Sequence, residues 1–371
     1  MTEATSGLPV DLVQLLNPQG ERVENQDYSF DGDDATVTGY LRDMVLARRL
    51  DVEATALQRK GELGLWPPLL GQEAAQVGSG RALGPRDFCF PSYREHAVAM
   101  LMGVDPMALL KTFRGTGMVD WDSAALRFHL YSFVIGTHTL HAVGYGMGMQ
   151  RDGVVGNADP DHNAAVIVYF GDGATSQGDV NEAFVFAASY SAPVVFFCQN
   201  NQWAISEPIE RQSRIPLYRR AAGFGFPGVR VDGNDVLAVH AVTEQALARA
   251  RAGHGPTLIE AFTYRMGAHT TSDDPTKYRL AAELEEWQAK DPIERVRRYL
   301  LSRGALDKAF LDALDEEAEE LAVALRQGCG ALPEPALAEM WGHTFADVPH
   351  ELLGQRAEYQ AYQASFEEAG R

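Results

Sequence analysis

The hydrophobic pattern divides the chain into three stretches. Up to about residue 36, turn formers such as Gly20-Glu21-Arg22 and Asp31-Gly32-Asp33-Asp34 stand among residues with little apolar periodicity, which predicts an N-terminal arm over 1–36. From Val37 apolar residues recur at helical spacing, with Leu41, Met44, Val45, Val52 and Leu57 near one face. A helix is expected over Val37–Lys60, with Gly61 as its stop. A second helix is expected over Gln72–Ala82, and a short strand over Asp87–Phe90 ending at Pro91. The middle of the chain then alternates. Runs of strand formers at Ala165–Phe170, Pro193–Cys198, Val229–Asp232 and Thr257–Thr263 are interleaved with helical spacing at Asp179–Tyr190 and Val236–Arg251. Strands that read as unbroken apolar runs are buried on both faces, so the expected class is α/β, a parallel sheet with helices on both sides. Beyond Thr276 the pattern is helical, at Ala281–Lys290, Ile293–Ser302 and Asp307–Arg326. One α/β domain with helical additions is therefore expected over 37–330, followed by a looser tail over 331–371 that carries Pro333 and Pro335.

Composition narrows the partners. Over 371 residues, 32 Lys+Arg stand against 51 Asp+Glu, a formal charge of −19. Such an acidic balance argues against a nucleic-acid backbone, which calls for a basic face. Cys89, Cys198 and Cys329, three in number and widely spaced, do not point to a disulfide framework or a zinc cluster. The apolar runs are too short to span a bilayer, and no basic stretch followed by an apolar one opens the chain. A cytoplasmic enzyme with neither nucleic-acid nor membrane partner is the expectation.

The candidate chemistry lies between Gly171 and Asn201. One strand runs into Gly171-Asp172-Gly173, 26 residues intervene, and another strand runs into Asn200-Asn201. One strand–helix–strand unit fits that interval, so Asp172 and Asn201 can meet beyond the carboxyl edge of a parallel sheet, where ligands of open α/β folds bind. Glycines flanking the aspartate let the backbone approach a bulky anion. The helix beginning near Asp179 points its N-terminal dipole the same way. One carboxylate and one amide oxygen suit a magnesium ion that completes its octahedron with phosphate oxygens and water. The residues thus read as a cation bridge to a diphosphate. A dinucleotide site competes, but Gly171-x-Gly173 lacks the full glycine fingerprint.

At these residues the chain resembles a known family. Gly171-Asp172-Gly173 to Asn200-Asn201 is similar to the thiamine diphosphate motif. The blocks Leu70-Gly71-Gln72-Glu73-Ala74-Ala75, Pro91-Ser92-Tyr93-Arg94-Glu95-His96 and Gly267-Ala268-His269-Thr270-Thr271-Ser272-Asp273-Asp274 resemble the α subunit of the decarboxylating component of 2-oxo acid dehydrogenase complexes. The likeness runs from about Val37 to Leu325, and it implies a thiamine diphosphate-binding fold. It implies Mg²⁺ held by the side chains of Asp172 and Asn201 and the carbonyl of Trp203, with Gly171, Gly173 and Ala174 beside the cofactor. Tyr93 and Arg94 match the pair that holds the diphosphate, chemistry suited to a phenol and a guanidinium fork. His269 matches the histidine over the thiazolium ring, able to exchange protons or, as a cation, to stabilise a substrate carboxylate. Ile135 matches the aliphatic wedge that bends the cofactor, and Leu69 a position lining the substrate pocket.

Some positions depart from the pattern. Gln199 stands where many relatives have Glu or Arg. Ser132-Phe133-Val134 replaces the stretch that holds potassium in some relatives, so that site is not carried over. His138 and His141 replace uncharged residues and read as packing or polar-network positions. Thr270, Thr271 and Ser272 lie where some relatives are switched off by phosphorylation. The glutamate that acts on the cofactor's pyrimidine comes, in this family, from a separate β subunit. The resemblance therefore implies a tetramer of two α and two β chains. That assembly oxidatively decarboxylates a small 2-oxo acid and passes the acyl group to a lipoyl-bearing acyltransferase core. Thr271-Ser272-Asp273-Asp274 leans toward branched-chain members, with pyruvate and acetoin enzymes left open.

Overall fold

The computed structural model describes residues 12–116, 121–333, 339–342 and 344–369. Its strands are β1 (Leu12–Val13), β2 (Phe88–Phe90), β3 (Val166–Gly171), β4 (Val194–Asn200), β5 (Trp203–Ala204), β6 (Glu207–Pro208), β7 (Gly228–Asp232) and β8 (Thr257–Phe262). Six of them form one sheet in the order β1-β7-β8-β4-β3-β2, with every pair parallel, while β5 and β6 make a small antiparallel hairpin.

The apolar runs become β3 and β4 because both of their faces are covered. Ile167, Tyr169, Val195 and Phe197 pack into one core, and Val166, Val168, Phe170, Val194, Phe196 and Cys198 into another. That is the period-two alternation of a strand, with apolar residues on both sides. The first core lies under helices Glu73–Arg81 and Val236–Arg251, the second under Thr137–Arg151 and Gly178–Ser189. Each fully buried Val, Ile or Phe contributes roughly 1.5–3 kcal/mol. The three cysteines are buried and unpaired.

Helix Asp34–Arg59 begins where the Asp33 side chain accepts from the Thr36 N–H, three residues before the expected start. Val52, expected on its apolar face, is exposed, while Leu41, Met44 and Leu57 are buried. Within the segment read as an arm, β1 adds an edge to the sheet, Leu12 opposite Arg230 and Val13 opposite Val231. Asp235 holds it there. Its Oδ1 caps helix Val236–Arg251 by accepting from Leu237 and Ala238, and its Oδ2 accepts from the Leu15 and Leu16 N–H groups at 2.6 Å. Residues 1–11 lie outside the described residues.

The C-terminal region is helical, with Ala281–Gln288, Pro292–Ser302 and Lys308–Ala331. The stretch read as a looser tail contains a 20-residue helix, His350–Ala369; Pro335 lies outside the described residues. Among the described residues, no helix is long and apolar enough to cross a membrane. β3 and β4 end side by side, Gly171 opposite Gln199, and that shared carboxyl edge places the site.

Candidate functional site

A cavity of about 270 Å³ opens at this edge. Asp172 and Asn201 reach it from the ends of β3 and β4, Trp203 from β5, and Tyr93, Arg94, Ile135 and His269 from the surrounding loops. Gly171, Gly173 and Ala174 line it too. Gly173 has a steric reason: a Cβ there would come within 2.7 Å of Ala204 Cβ and push away the hairpin that carries Trp203.

Asp172 is buried, and its Oδ2 accepts from Gln212 Nε2 at 3.0 Å. Burial pushes its carboxyl up to about 6. The end of the Asn201 amide that faces it lies 3.3 Å from Asp172 Oδ1 and 3.2 Å from the Trp203 carbonyl oxygen. A nitrogen there would donate to both. An oxygen there makes a cluster of three oxygens that a cation reconciles, with Asn201 Nδ2 then donating to Gln72 Oε1 at 3.1 Å. One carboxylate, one amide and one carbonyl suit a hard divalent ion that takes its other ligands from a bound anion and water. Among the described residues, no cluster of three or more His, Cys, Asp or Glu side chains offers another metal centre.

The opposite wall is built around two buried arginines. Arg94 donates through Nη1 to the Pro68 carbonyl at 2.6 Å and through Nη2 to the His269 carbonyl at 3.0 Å, with the Tyr93 ring 5.4 Å away. Arg265 donates to the Trp203 and Ile205 carbonyls and to the Tyr278 hydroxyl. Tyr278 in turn donates to Asp273, which accepts from the His269 N–H. Arg94 Nη2 and Arg265 Nη1 lie 3.3 and 3.4 Å from His269 Nδ1. Guanidinium groups only donate, so Nδ1 accepts and the ring proton sits on Nε2. Burial, with Arg94 and Arg265 adding to it, lowers the imidazole to about 3. His269 is therefore a neutral donor here, which differs from the cationic alternative raised by the sequence.

Under this wall runs a strap, Trp66–Gly71. The buried Asp51 accepts from Trp66 Nε1 and Leu69 N through Oδ1 and from Leu70 N through Oδ2, while Glu73 accepts from Gly71 N. Its carbonyls face the other way. Pro68 receives Arg94, and Trp66 receives Thr271 N while its own N–H donates to Thr271 Oγ1. Leu69, expected in a substrate pocket, belongs to this strap. Its side chain is wholly buried in the main core and does not line the cavity.

Gln199 lines the cavity too, where its Nε2 donates to Glu95 Oε1 at 2.6 Å and its oxygen accepts from Gln76. His138 lines the cavity and donates from Nε2 to the Tyr169 carbonyl at 2.6 Å. Burial lowers it to about 4, whereas His141 is exposed. Gln72, Glu95, Arg265 and Gln212 are site residues that sequence reasoning did not single out. Gln72 and Glu95 lie inside the quoted blocks and Arg265 two residues before one; Gln212 carries no local signal.

Comparison with known proteins shows the family. The family model described as the dehydrogenase E1 component matches residues 41–325. The chain is 43% identical over 357 residues to the 3-methyl-2-oxobutanoate dehydrogenase subunit alpha of Mycobacterium tuberculosis, covering 95% of each chain. It is 37% identical over 350 residues to the pyruvate dehydrogenase E1 component subunit alpha of Bacillus subtilis, covering 92% of this chain and 90% of that one. Against the Staphylococcus aureus pyruvate dehydrogenase E1 component subunit alpha, identity is 34% over 354 residues, or 95% and 92%. Matched over most of its length by that model and aligned nearly end to end with these α subunits, the chain belongs to the dehydrogenase E1 component family.

Proposed function

We propose that this chain is the α subunit of a branched-chain 2-oxo acid dehydrogenase, acting with thiamine diphosphate, Mg²⁺ and a β subunit. The observation that carries the reading is the convergence of Asp172, Asn201 and the Trp203 carbonyl opposite the Tyr93–Arg94–His269 wall. The branched-chain choice is supported by greater identity to a 3-methyl-2-oxobutanoate dehydrogenase subunit, 43%, than to pyruvate dehydrogenase subunits at 37% and 34%.

Asp172, Asn201 and Trp203 would hold the Mg²⁺, and the Tyr93 hydroxyl and Arg94 guanidinium would serve the diphosphate. Thiamine diphosphate, when bound, supplies the electron sink that lets a 2-oxo acid lose CO₂. His269 holds a proton at Nε2 and offers it as a neutral hydrogen-bond donor to a substrate oxygen. Arg94 and Arg265 fix that tautomer, and Asp273 anchors the His269 backbone. Ile135 supplies an apolar wedge on the cavity wall.

The mouth of the cavity is apolar. Ile135 and Ile205, which line it, are 38% and 56% exposed, and Phe133 and Val134, just before Ile135 in the chain, are 53% and 67% exposed. Such a rim supports a site closed by another chain, the β subunit, in a tetramer of two α and two β chains that serves a lipoyl-bearing acyltransferase core in the cytoplasm.

The test is steady-state decarboxylation by this chain co-expressed with its β partner, with Mg²⁺, thiamine diphosphate and an artificial electron acceptor. A preference of about tenfold or more in kcat/KM for 3-methyl-2-oxobutanoate over pyruvate, about 1.4 kcal/mol, is expected. The reverse preference overturns the branched-chain reading in favour of a pyruvate enzyme.

A further inference from the structure

Gln72 stands at the head of helix Glu73–Arg81 and does not cap it. Its side chain is wholly buried and lines the cavity. Oε1 accepts from Asn201 Nδ2 at 3.1 Å, while Nε2 is buried with no partner among the described residues. A buried amide nitrogen without an acceptor is costly, and buried polar groups are nearly always satisfied. One left over beside a cavity is a donor kept for whatever the cavity holds.

The Asn201 amide decides which end of Gln72 is left over. Turned end for end, Asn201 would place nitrogen against Asp172 Oδ1 and the Trp203 carbonyl and its oxygen against Gln72. Gln72 would then have to turn too, leaving its carbonyl oxygen unpartnered. A cation among the three oxygens forbids that turn, because it needs the oxygen of Asn201. The cation thus orients Asn201, Asn201 orients Gln72, and Gln72 presents an N–H in place of an oxygen.

We propose that Gln72 is a further binding residue of this site, donating from Nε2 to an oxygen of the diphosphate that shares the cation. The Asn201–Gln72 amide pair then couples cation binding to anion binding. With the cation, the pair offers a donor to a phosphate oxygen; without it, the pair offers a carbonyl that repels one. A diphosphate oxygen is the fitting acceptor because Gln72 is bonded to a residue that itself holds the cation. The inference rests on the thiamine diphosphate reading above.

The experiment titrates thiamine diphosphate into the assembled α–β enzyme at several Mg²⁺ concentrations, following binding by calorimetry, in wild type, Gln72→Met and Gln72→Glu. Methionine keeps length and burial but has no amide. Glutamate keeps an acceptor for Asn201 and loses the donor, and it serves if the methionine variant fails to assemble. Both variants are expected to weaken thiamine diphosphate binding roughly tenfold or more at saturating Mg²⁺. They should also flatten the dependence of that affinity on Mg²⁺. Wild-type affinity with a wild-type Mg²⁺ dependence in either variant overturns the proposal. So does intact cofactor binding with a raised KM for the 2-oxo acid, since the acceptor would then be the substrate. A wild-type enzyme that binds no thiamine diphosphate removes the cofactor reading itself; normal wild-type binding with unmoved variants removes only the role of Gln72.

Discussion

Two guanidinium groups hold the Nδ1 edge of His269, and this sets what the residue can do. With the imidazole lowered to about 3 by burial and by Arg94 and Arg265, the ring is neutral across the assay range. The kcat profile of the assembled enzyme should therefore show no step from His269 between pH 5 and 8. A glutamine amide can replace an Nε2–H donor, so His269→Gln should retain measurable turnover with a profile of the same shape, whereas His269→Ala should lose about 10²–10⁴-fold. A wild-type step near pH 6.5 that vanishes in His269→Gln would point to the cation instead. At this scale the site is partly legible in the sequence. Asp172 and Asn201 stand out because each follows an apolar run whose end is a strand end. Gln72, Glu95 and Arg265 do not, because a single polar residue carries no periodicity and its partner lies far away in the chain, as Gln72 and Asn201 do. Leu69 shows the converse, since proximity in sequence to Gly71 and Gln72 says nothing of which side of the strap its side chain takes.

Among the elements, the Trp66–Gly71 strap has no regular secondary structure, yet its amide groups are tied from both sides. Asp51→Ala should cost about 3–5 kcal/mol, because three buried N–H donors lose their acceptor. Urea unfolding measures this directly. Burial pushes the Asp51 carboxyl up to about 7. The folded chain therefore binds that proton more tightly than the unfolded chain does. The stability linked to its protonation is full below about pH 4 and is lost as pH rises toward 7. Asp51→Asn should remove this part of the slope, seen by comparing urea midpoints of the two proteins from pH 4 to 8. An unchanged slope would mean that Asp51 is already ionised at pH 4 in the folded chain.

The central strands and helix Val236–Arg251 are legible because their apolar content is continuous or periodic. Helix Thr137–Arg151 is not, because Gly144, Gly146 and Gly148 break its pattern and weaken its propensity. β1 is two residues long and owes its place to Asp235, more than 200 residues away. Helix His350–Ala369 hides behind prolines, and its apolar residues Leu353, Tyr362 and Phe366 are exposed.

Taken whole, the molecule joins a formal charge of −19 to an apolar cavity mouth. Val134→Glu should abolish co-purification with the β partner while leaving the unfolding midpoint of the chain nearly unchanged, since an exposed position contributes little to stability. Size-exclusion chromatography of the co-expressed chains reads the first, and thermal melting of the separate chain the second. Intact assembly of the variant would show that the partner closes the site elsewhere.

The strap also has a dynamic consequence. The N–H groups of Leu69, Leu70 and Gly71 end on carboxylates that are themselves buried. Those hydrogens exchange with solvent when the strap parts from helix Asp34–Arg59, which carries Asp51, or from helix Glu73–Arg81, which carries Glu73, openings that disrupt buried packing. The strap behind the Arg94–His269 wall should thus keep its deuterium label far longer than the exposed segment around Val134, whose amides exchange early. A ligand entering this site meets a yielding doorway and a wall whose backing does not breathe.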